Sequence, residues 1–479
     1  MTGQQHIIKK FSLELQTQGR EHTHALQRRC IKMVNESLVE GMDELLSADF
    51  PGDEIIRINK IEIDLGNLTT EELEKHFIDK CMAEFTRTIK KIPLSKKQEA
   101  EEERSTVSKE ENTIVQFVSF LSSGKMYWAA VNMNFQQWQT EIAEAIKKNP
   151  FFLIQQLDAV VKNSVTTERL VTQFDNTLIQ LVVQLYQPHI KNEFELLIQL
   201  LRHIFSQNNY SIPGKNILIK LLPVLFKPLP TVGKNDFEHL MREITVSSKN
   251  IELAFALQLR EAILALFEKL NTGAAIKLKH DVFNEVSTAA ISTDVRATGV
   301  KQEEKNEAAA EESSTYINNA GLVILHPFLQ NFFITTALMQ GDNFSSDIAA
   351  QTAVHLLQYL ANGEQQAPEY IMPLNKILCG IDEEQHIDRF IQLEEKQLKE
   401  AVALLQAVVE HWEILKNTSV EGLQETFFQR KGKLSFNATD GFWKLQVERK
   451  ALDILLDKIP WGISYIKLPW MKYPLITEW

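Results

Sequence analysis

Apolar and polar side chains alternate over residues 6–15, where Phe11, Leu13 and Leu15 are interleaved with Lys10, Ser12 and Glu14. A period of two predicts a half-buried strand. A helical stretch follows over 21–46. The run 54–65 is strand-like again, with Ile56 and Ile58 in one phase and Ile61, Ile63 and Leu65 in the other. The slip at Asn59-Lys60 predicts a bulge or tight turn. Thr70, followed by Glu72 and Glu74, opens a helix that runs through Ile89, with acidic residues at the positive end of its dipole. Residues 1–92 thus read as a small α+β module in the order strand, helix, strand, helix.

Residues 93–112 carry hardly an apolar side chain (LSKKQEAEEERSTVSKEEN over 94–112) and read as a charged linker. A second stretch of the same character, 287–315, reads as a disordered acidic linker. Between them, 113–286 form a central helical region. One helix near 190–205 has Phe194, Leu197, Leu201 and Ile204 on one face, and another is marked by Phe255, Leu259, Ile263, Leu266 and Leu270. Pro150, Pro188, Pro213, Pro223, Pro228 and Pro230 end or kink helices there, which predicts an array of medium helices instead of a rod. Residues 316–479 read as a C-terminal helical domain. Leu398, Val402, Leu405, Val409 and Trp412 form a stripe at four-three-four-three spacing. Within it, Leu434 and Phe436 alternate before Asp440-Gly441, and Trp443, Leu445 and Val447 after it, which predicts a β-hairpin over 433–447. The expected class is mainly α, as α+β.

Composition narrows the function classes. Of 479 residues, 44% are hydrophobic and 24% charged, as in an ordinary globular protein, and the length calls for more than one domain. A net charge of −12 argues against general affinity for nucleic acid or an anionic membrane. Three scattered cysteines, Cys30, Cys81 and Cys379, make neither a disulfide scaffold nor a metal cluster. The apolar run 321–339 approaches membrane-spanning length, but His326, Pro327, Gln330 and Asn331 favour buried core helices, with membrane contact as the disfavoured alternative.

No chemistry-bearing constellation emerges. Gly124-Lys125 and Gly214-Lys215 lack the rest of a phosphate-binding loop. His22 and His24, two apart, point to different helix faces and cannot share a metal ion. Cys379 would need a base from His326, His355 or His411 to act as a nucleophile, but between Ile377-Leu378 and Gly380 it reads as a small buried hydrophobe. The pairs Glu394/Glu395 and Glu410/Glu413 read as solvated helix faces. No enzyme activity, cofactor or metal is expected. The tail interleaves Trp461, Tyr465, Lys467, Trp470, Lys472 and Tyr473, and an acidic chain makes packing or partner docking the reading for it. Trp461, Tyr465, Trp470 and Trp479 are the docking candidates.

Several long strings in the C-terminal third resemble one known family. They are YINNAGLVILHPFL (316–329), AVHLLQYLANGE (353–364), PEYIMPLNKILCG (368–380), HWEILKNTSVEGLQETFFQRKGKL (411–434), LQVERKALDILLDKIPW (445–461) and IKLPWMKYPLITEW (466–479). Together with HIIKKFSLELQT and RINKIEIDLGNL near the N-terminus, they resemble the tape-measure proteins of contractile injection systems. The resemblance implies a structural component of an extracellular, phage-tail-like particle, made in a bacterial cytoplasm and then carried in the particle lumen. It implies a role in setting tube and sheath length and in organising tube–baseplate assembly. Tube, baseplate and spike proteins are the implied partners, with effector cargo as a further candidate and several copies acting together. The alternative within the same system is a cytoplasmic assembly or cargo-loading adaptor. It carries over no catalytic residues.

A ruler must be long. As one helix the whole chain would reach about 700 Å, while a folded domain of about 160 residues has a radius of gyration near 15 Å. Either folded domains unravel into the tube or the protein nucleates assembly.

Overall fold

The computed structural model describes residues 8, 11–14, 23–49, 55–58, 60–91, 104–126, 134–161, 163–206, 211–226, 258–270 and 314–479. They form two compact units, Met1–Thr113 and Ile114–Trp479.

In the first unit, α1 (Thr23–Met33) and α2 (Val39–Asp49) are joined through a π-helical turn, Val34–Leu38. Cys30, Val34, Leu38 and Met42 recur every fourth residue and are buried. Strand β1 (Ile55–Ile58) precedes α3 (Thr70–Lys91), whose Phe77, Cys81, Phe85 and Ile89 repeat the same spacing. The two stripes make one small core. Thr69 caps α3: its hydroxyl accepts from the Glu72 N–H, and the Glu72 carboxylate accepts from the Thr69 N–H, a reciprocal Thr-x-x-Glu box.

Two expectations for this unit change. Ile8, Phe11 and Leu13 are exposed, and residues 11–14 lie outside any strand, because alternation alone makes no ladder without a partner strand. The remainder of 6–15 lies outside the described residues. Conversely, the stretch expected as a linker contains β2 (Arg104–Val107), antiparallel to β1 with Ile55 opposite Val107 and Ile58 opposite Arg104. It also holds the start of α4 (Lys109–Ser123), where Ser108 and Glu111 form a second capping box. Its high charge masked that start signal. Residues 60–65 lie outside any strand; Ile61, Ile63 and Leu65 still pack half-buried on the core, while Glu62 and Asp64 are exposed.

The second unit opens with an array of medium helices: α4, α5 (Phe135–Lys148), α6 (Pro150–Asp158), α7 (Ser164–Gln173), α8 (Asn176–Tyr186), α9 (Lys191–Ser206), α10 (Ser211–Leu225) and α11 (residues 258–270). Phe194, Leu197 and Leu201 are buried in α9, and Leu259, Ile263, Leu266 and Leu270 in α11. Pro150 starts α6 and Pro188 starts a short 3-10 turn. Pro213 lies in the first turn of α10, and Pro223 sits inside its last turn. Pro228, Pro230, Phe255 and most of the acidic 287–315 stretch lie outside the described residues.

The C-terminal part begins with β3 (Ser314–Ile317), a 3-10 turn (Ala320–Leu325) and α12 (His326–Thr335). The apolar run 321–339 is thus broken into short pieces, and no helix among the described residues is long and apolar enough to cross a membrane. Next come a two-residue hairpin, β4 (Met339–Gln340) with β5 (Asn343–Phe344), and the helices α13 (Asp347–Asn362), α14 (Pro373–Leu378), α15 (Glu395–His411) and α16 (Val420–Leu423). In α15 Leu405 and Val409 of the expected stripe are buried together with Ala401 and Val408, Trp412 is buried just past the helix end, Leu398 packs partly buried on the core, and Val402 faces outward. The expected hairpin is β6 (Gly432–Asn437) with β7 (Phe442–Val447), Leu434 facing Leu445 across it and Gly441 at φ 67° in the turn. It is the centre of a five-stranded sheet ordered β3-β6-β7-β9-β8, completed by β8 (Tyr465–Ile466) and β9 (Leu475–Glu478). Only β7 and β9 run parallel in that sheet. A Cβ on Gly321 would lie 1.7 Å from the Phe427 carbonyl oxygen, so the 3-10 turn reaches the backbone only because that residue lacks a side chain. The fold is mainly helical, with its small sheet near the C-terminus.

The sequence division separates the central helices from 316–479, whereas described residues of both belong to one compact unit. Tyr370, from the C-terminal part, is buried within the central helices' core.

Candidate functional site

Helix α7 places Glu168, Arg169, Thr172 and Gln173 toward the C-terminal part of the same unit. Asn163 caps it by accepting from the Val165 N–H, which fixes its start. Arg169 Nε donates to Glu369 Oε2 at 3.0 Å, and both side chains are fully buried. Arg169 Nη1 donates to the Leu121 carbonyl at 2.8 Å and Nη2 to the Glu384 carbonyl at 2.7 Å. The second Glu369 oxygen accepts from Lys376 Nζ at 2.6 Å, and that ammonium also donates to the carbonyls of Glu383 and Gln385. Gly124, at φ 70°, lies against this cluster; a Cβ there would be 2.5 Å from Glu369 Oε1.

Three charges therefore share one buried clasp. Burial pulls the Lys376 ammonium below its ordinary value, with Glu369 opposing. All three Lys376 ammonium protons find acceptors, and each nitrogen of the Arg169 guanidinium makes one bond, which offsets the cost of burying the charges. Further pairs flank it: Lys125 with Glu383, His386 with Glu168, and Lys215 with Asp388. The Arg389 guanidinium lies over the Phe135 ring, 4.1 Å from its centroid, and the Arg389 backbone N–H donates to the Thr172 carbonyl. Phe120, Phe135, Trp138, Phe174 and Tyr370 pack on one another, edge-on or tilted except for the stacked pair Phe135 and Tyr370. The arrangement joins two sequence-distant regions.

Sequence reasoning missed the clasp. One signal was present: Lys376 stands in PLNKIL, a lysine inside an otherwise apolar segment, which is the pattern of a buried and paired charge.

The residues weighed for catalysis are dispersed among separate partners. Cys379 is buried, and burial pushes its thiol well above the ordinary range. His326 contacts the Val323 carbonyl, His355 the Asp388 carbonyl, and His411 the Ala407 carbonyl. Glu394 caps α15 through Gln397, and Glu395 pairs with Lys399 on the exposed face. Glu410 is exposed, and Glu413 opens a 3-10 turn. His22 lies outside the described residues and His24 is in the first turn of α1. Among the described residues no group of three His, Cys, Asp or Glu side chains could hold a metal ion.

The docking candidates divide. Trp461 donates its indole N–H to the Ile324 carbonyl at 3.0 Å and stands edge-on to Phe328. Trp470 donates to the Leu378 carbonyl at 2.8 Å and packs on Phe333 and Phe344. Trp479 donates to Asp453 Oδ2. All three are half-buried against their own unit. Tyr465, on the edge strand β8, is 62% exposed.

A family model described as contractile injection system tape measure protein matches residues 5–479. No curated protein and no solved structure matches the chain.

Proposed function

Because the chain belongs to the contractile injection system tape measure proteins, we propose that it sets tube and sheath length and organises tube–baseplate assembly. The observation that carries this is the extent of the family match, which runs through both compact units. The clasp shapes how the role is performed. Folded, the second unit has a radius of gyration of about 21 Å, whereas the same residues as one helix would reach about 550 Å. A compact state before assembly and an opened, extended state within the tube reconcile the two. Tube, baseplate and spike proteins are the partners of this reading, and Tyr465 on the free edge of the sheet is the docking residue it favours. The chain is made in the cytoplasm, acts in several copies and ends in the particle lumen.

The buried clasp also favours a second reading. A chain that stays folded would act as a cytoplasmic adaptor that loads cargo or nucleates the baseplate. Purified particles separate the two: stoichiometric recovery of the chain inside them is expected, and its absence from fully assembled particles overturns the ruler role.

A further inference from the structure

Residues 381–391 form a strap between the central helices and the C-terminal part. It has little regular structure of its own, and its backbone is held by side chains. From the central side, Arg169 donates to the Glu384 carbonyl, Gln173 to the Ile387 carbonyl, and the Thr172 carbonyl accepts from the Arg389 N–H. From the C-terminal side, Lys376 holds the carbonyls of Glu383 and Gln385, Gln351 Oε1 accepts from the Asp388 N–H at 2.8 Å, and His355 Nε2 lies 2.8 Å from the Asp388 carbonyl.

We propose that this strap is an acid-sensitive latch whose proton sensor is His355: protonating its imidazole loosens the strap's grip on α7 and starts the opening of the second unit.

The tautomer of His355 follows from its contact. A carbonyl oxygen only accepts, so Nε2 carries the hydrogen and Nδ1 is the bare nitrogen. Nδ1 has no hydrogen-bond partner among the described residues, and the side chain is fully buried. A proton arriving at Nδ1 creates a cation without an acceptor. The charged groups facing it are Lys215 from α10 and Asp388 and Arg389 from the strap; the one carboxylate among them already pairs with Lys215. Burial, with the two cations, holds the His355 pKa below the ordinary 6.5. An opened strap therefore binds a proton from about pH 6.5 downward, where the closed strap does not. Closure is at full strength above that value and weakens as pH falls through it.

His386 is the other histidine at the latch. It is partly exposed, and its protonated form has Glu168 at 3.0 Å to receive it, with Arg169 and Lys376 opposing and Glu369 assisting. It is a weaker lever for opening. The latch operates whether or not the chain sets tube length.

The test is hydrogen exchange of the strap amides in the full chain from pH 7.5 to 5, corrected for the intrinsic rate. Protection is expected to fall below pH 6.5, by up to about tenfold per pH unit for a single proton. His355→Gln keeps an N–H donor for the Asp388 carbonyl without a titrating group, and is expected to give a flat profile. His386→Gln is expected to retain the fall. Identical profiles for wild type and His355→Gln, or a flat profile for His386→Gln alone, overturn the proposal. Should His355→Gln fail to fold, imidazole C2 hydrogen exchange on the wild type decides: a His355 pKa below 6.5 with coincident strap loss supports the latch. An ordinary His355 pKa with a strap that stays protected overturns it.

Discussion

Arg169 and Glu369, 200 positions apart in sequence, meet at 3.0 Å with neither side chain exposed. The contact makes the central helices and the C-terminal part depend on one another. Removing one partner from such a cluster leaves the others charged and buried. Glu369→Ala, which strands both Arg169 and Lys376, is expected to cost about 3–5 kcal/mol in a denaturant titration. Replacing all three, as Arg169→Met, Glu369→Leu and Lys376→Met, is expected to recover much of that loss, because an apolar cluster of similar volume needs no desolvation of charge.

Gly124 tests the same cluster through the backbone. Its positive φ and the 2.5 Å approach to Glu369 Oε1 leave no room for a methyl group. Gly124→Ala is expected to destabilise by about 1–3 kcal/mol, read as a lower denaturant midpoint with an unchanged slope. Gly321→Ala, whose Cβ would collide with the Phe427 backbone, is expected to abolish soluble expression.

Acid should fray the start of α3 before the rest of its helix. The Thr69 amide and hydroxyl, then Lys80, hold the Glu72 carboxyl down to about 2 from an ordinary 4.5. A depressed carboxyl contributes stability above its unfolded value and loses it as pH falls from about 4.5 toward 2. Exchange of the Thr69 amide is expected to accelerate through that window, and Glu72→Gln, which cannot ionise, is expected to remove the dependence.

The aromatic tail separates packing from docking. Trp470→Ala is expected to cost about 3 kcal/mol, since its indole fills a site beside Phe333 and Phe344 and bonds the Leu378 carbonyl. Tyr465→Ala is expected to leave the denaturant midpoint within about 0.5 kcal/mol of wild type while reducing incorporation into particles. Equal incorporation would remove Tyr465 from the docking surface.

Local periodicity made much of the fold readable. The three- and four-residue spacing of Phe194, Leu197 and Leu201, and the alternation around Asp440-Gly441, correspond to a helix and a hairpin. Long-range pairing was not readable. Nothing in LITE over 475–478 specifies a parallel partner in β7, and nothing in RSTV specifies β1 as its ladder. Phe11 and Leu13 show the reverse case, a strand pattern without a strand. The clasp was hidden for a related reason: Arg169, Glu369 and Lys376 carry no local pattern in common, and their meaning comes only from being brought together. The tail's tryptophans, read for packing or docking, donate to carbonyls and a carboxylate of their own unit; an indole combines apolar burial with hydrogen bonding, so local pattern does not separate the two roles.

Particle length measured by electron microscopy against chain length bears most directly on the assigned role. Residues inserted between α11 and β3, within 271–313, lengthen the chain without interrupting any described element. Tubes are predicted to lengthen in proportion, by at most about 1.5 Å per added residue if the insertion is helical. Tubes of unchanged length in particles that contain the longer chain would contradict it.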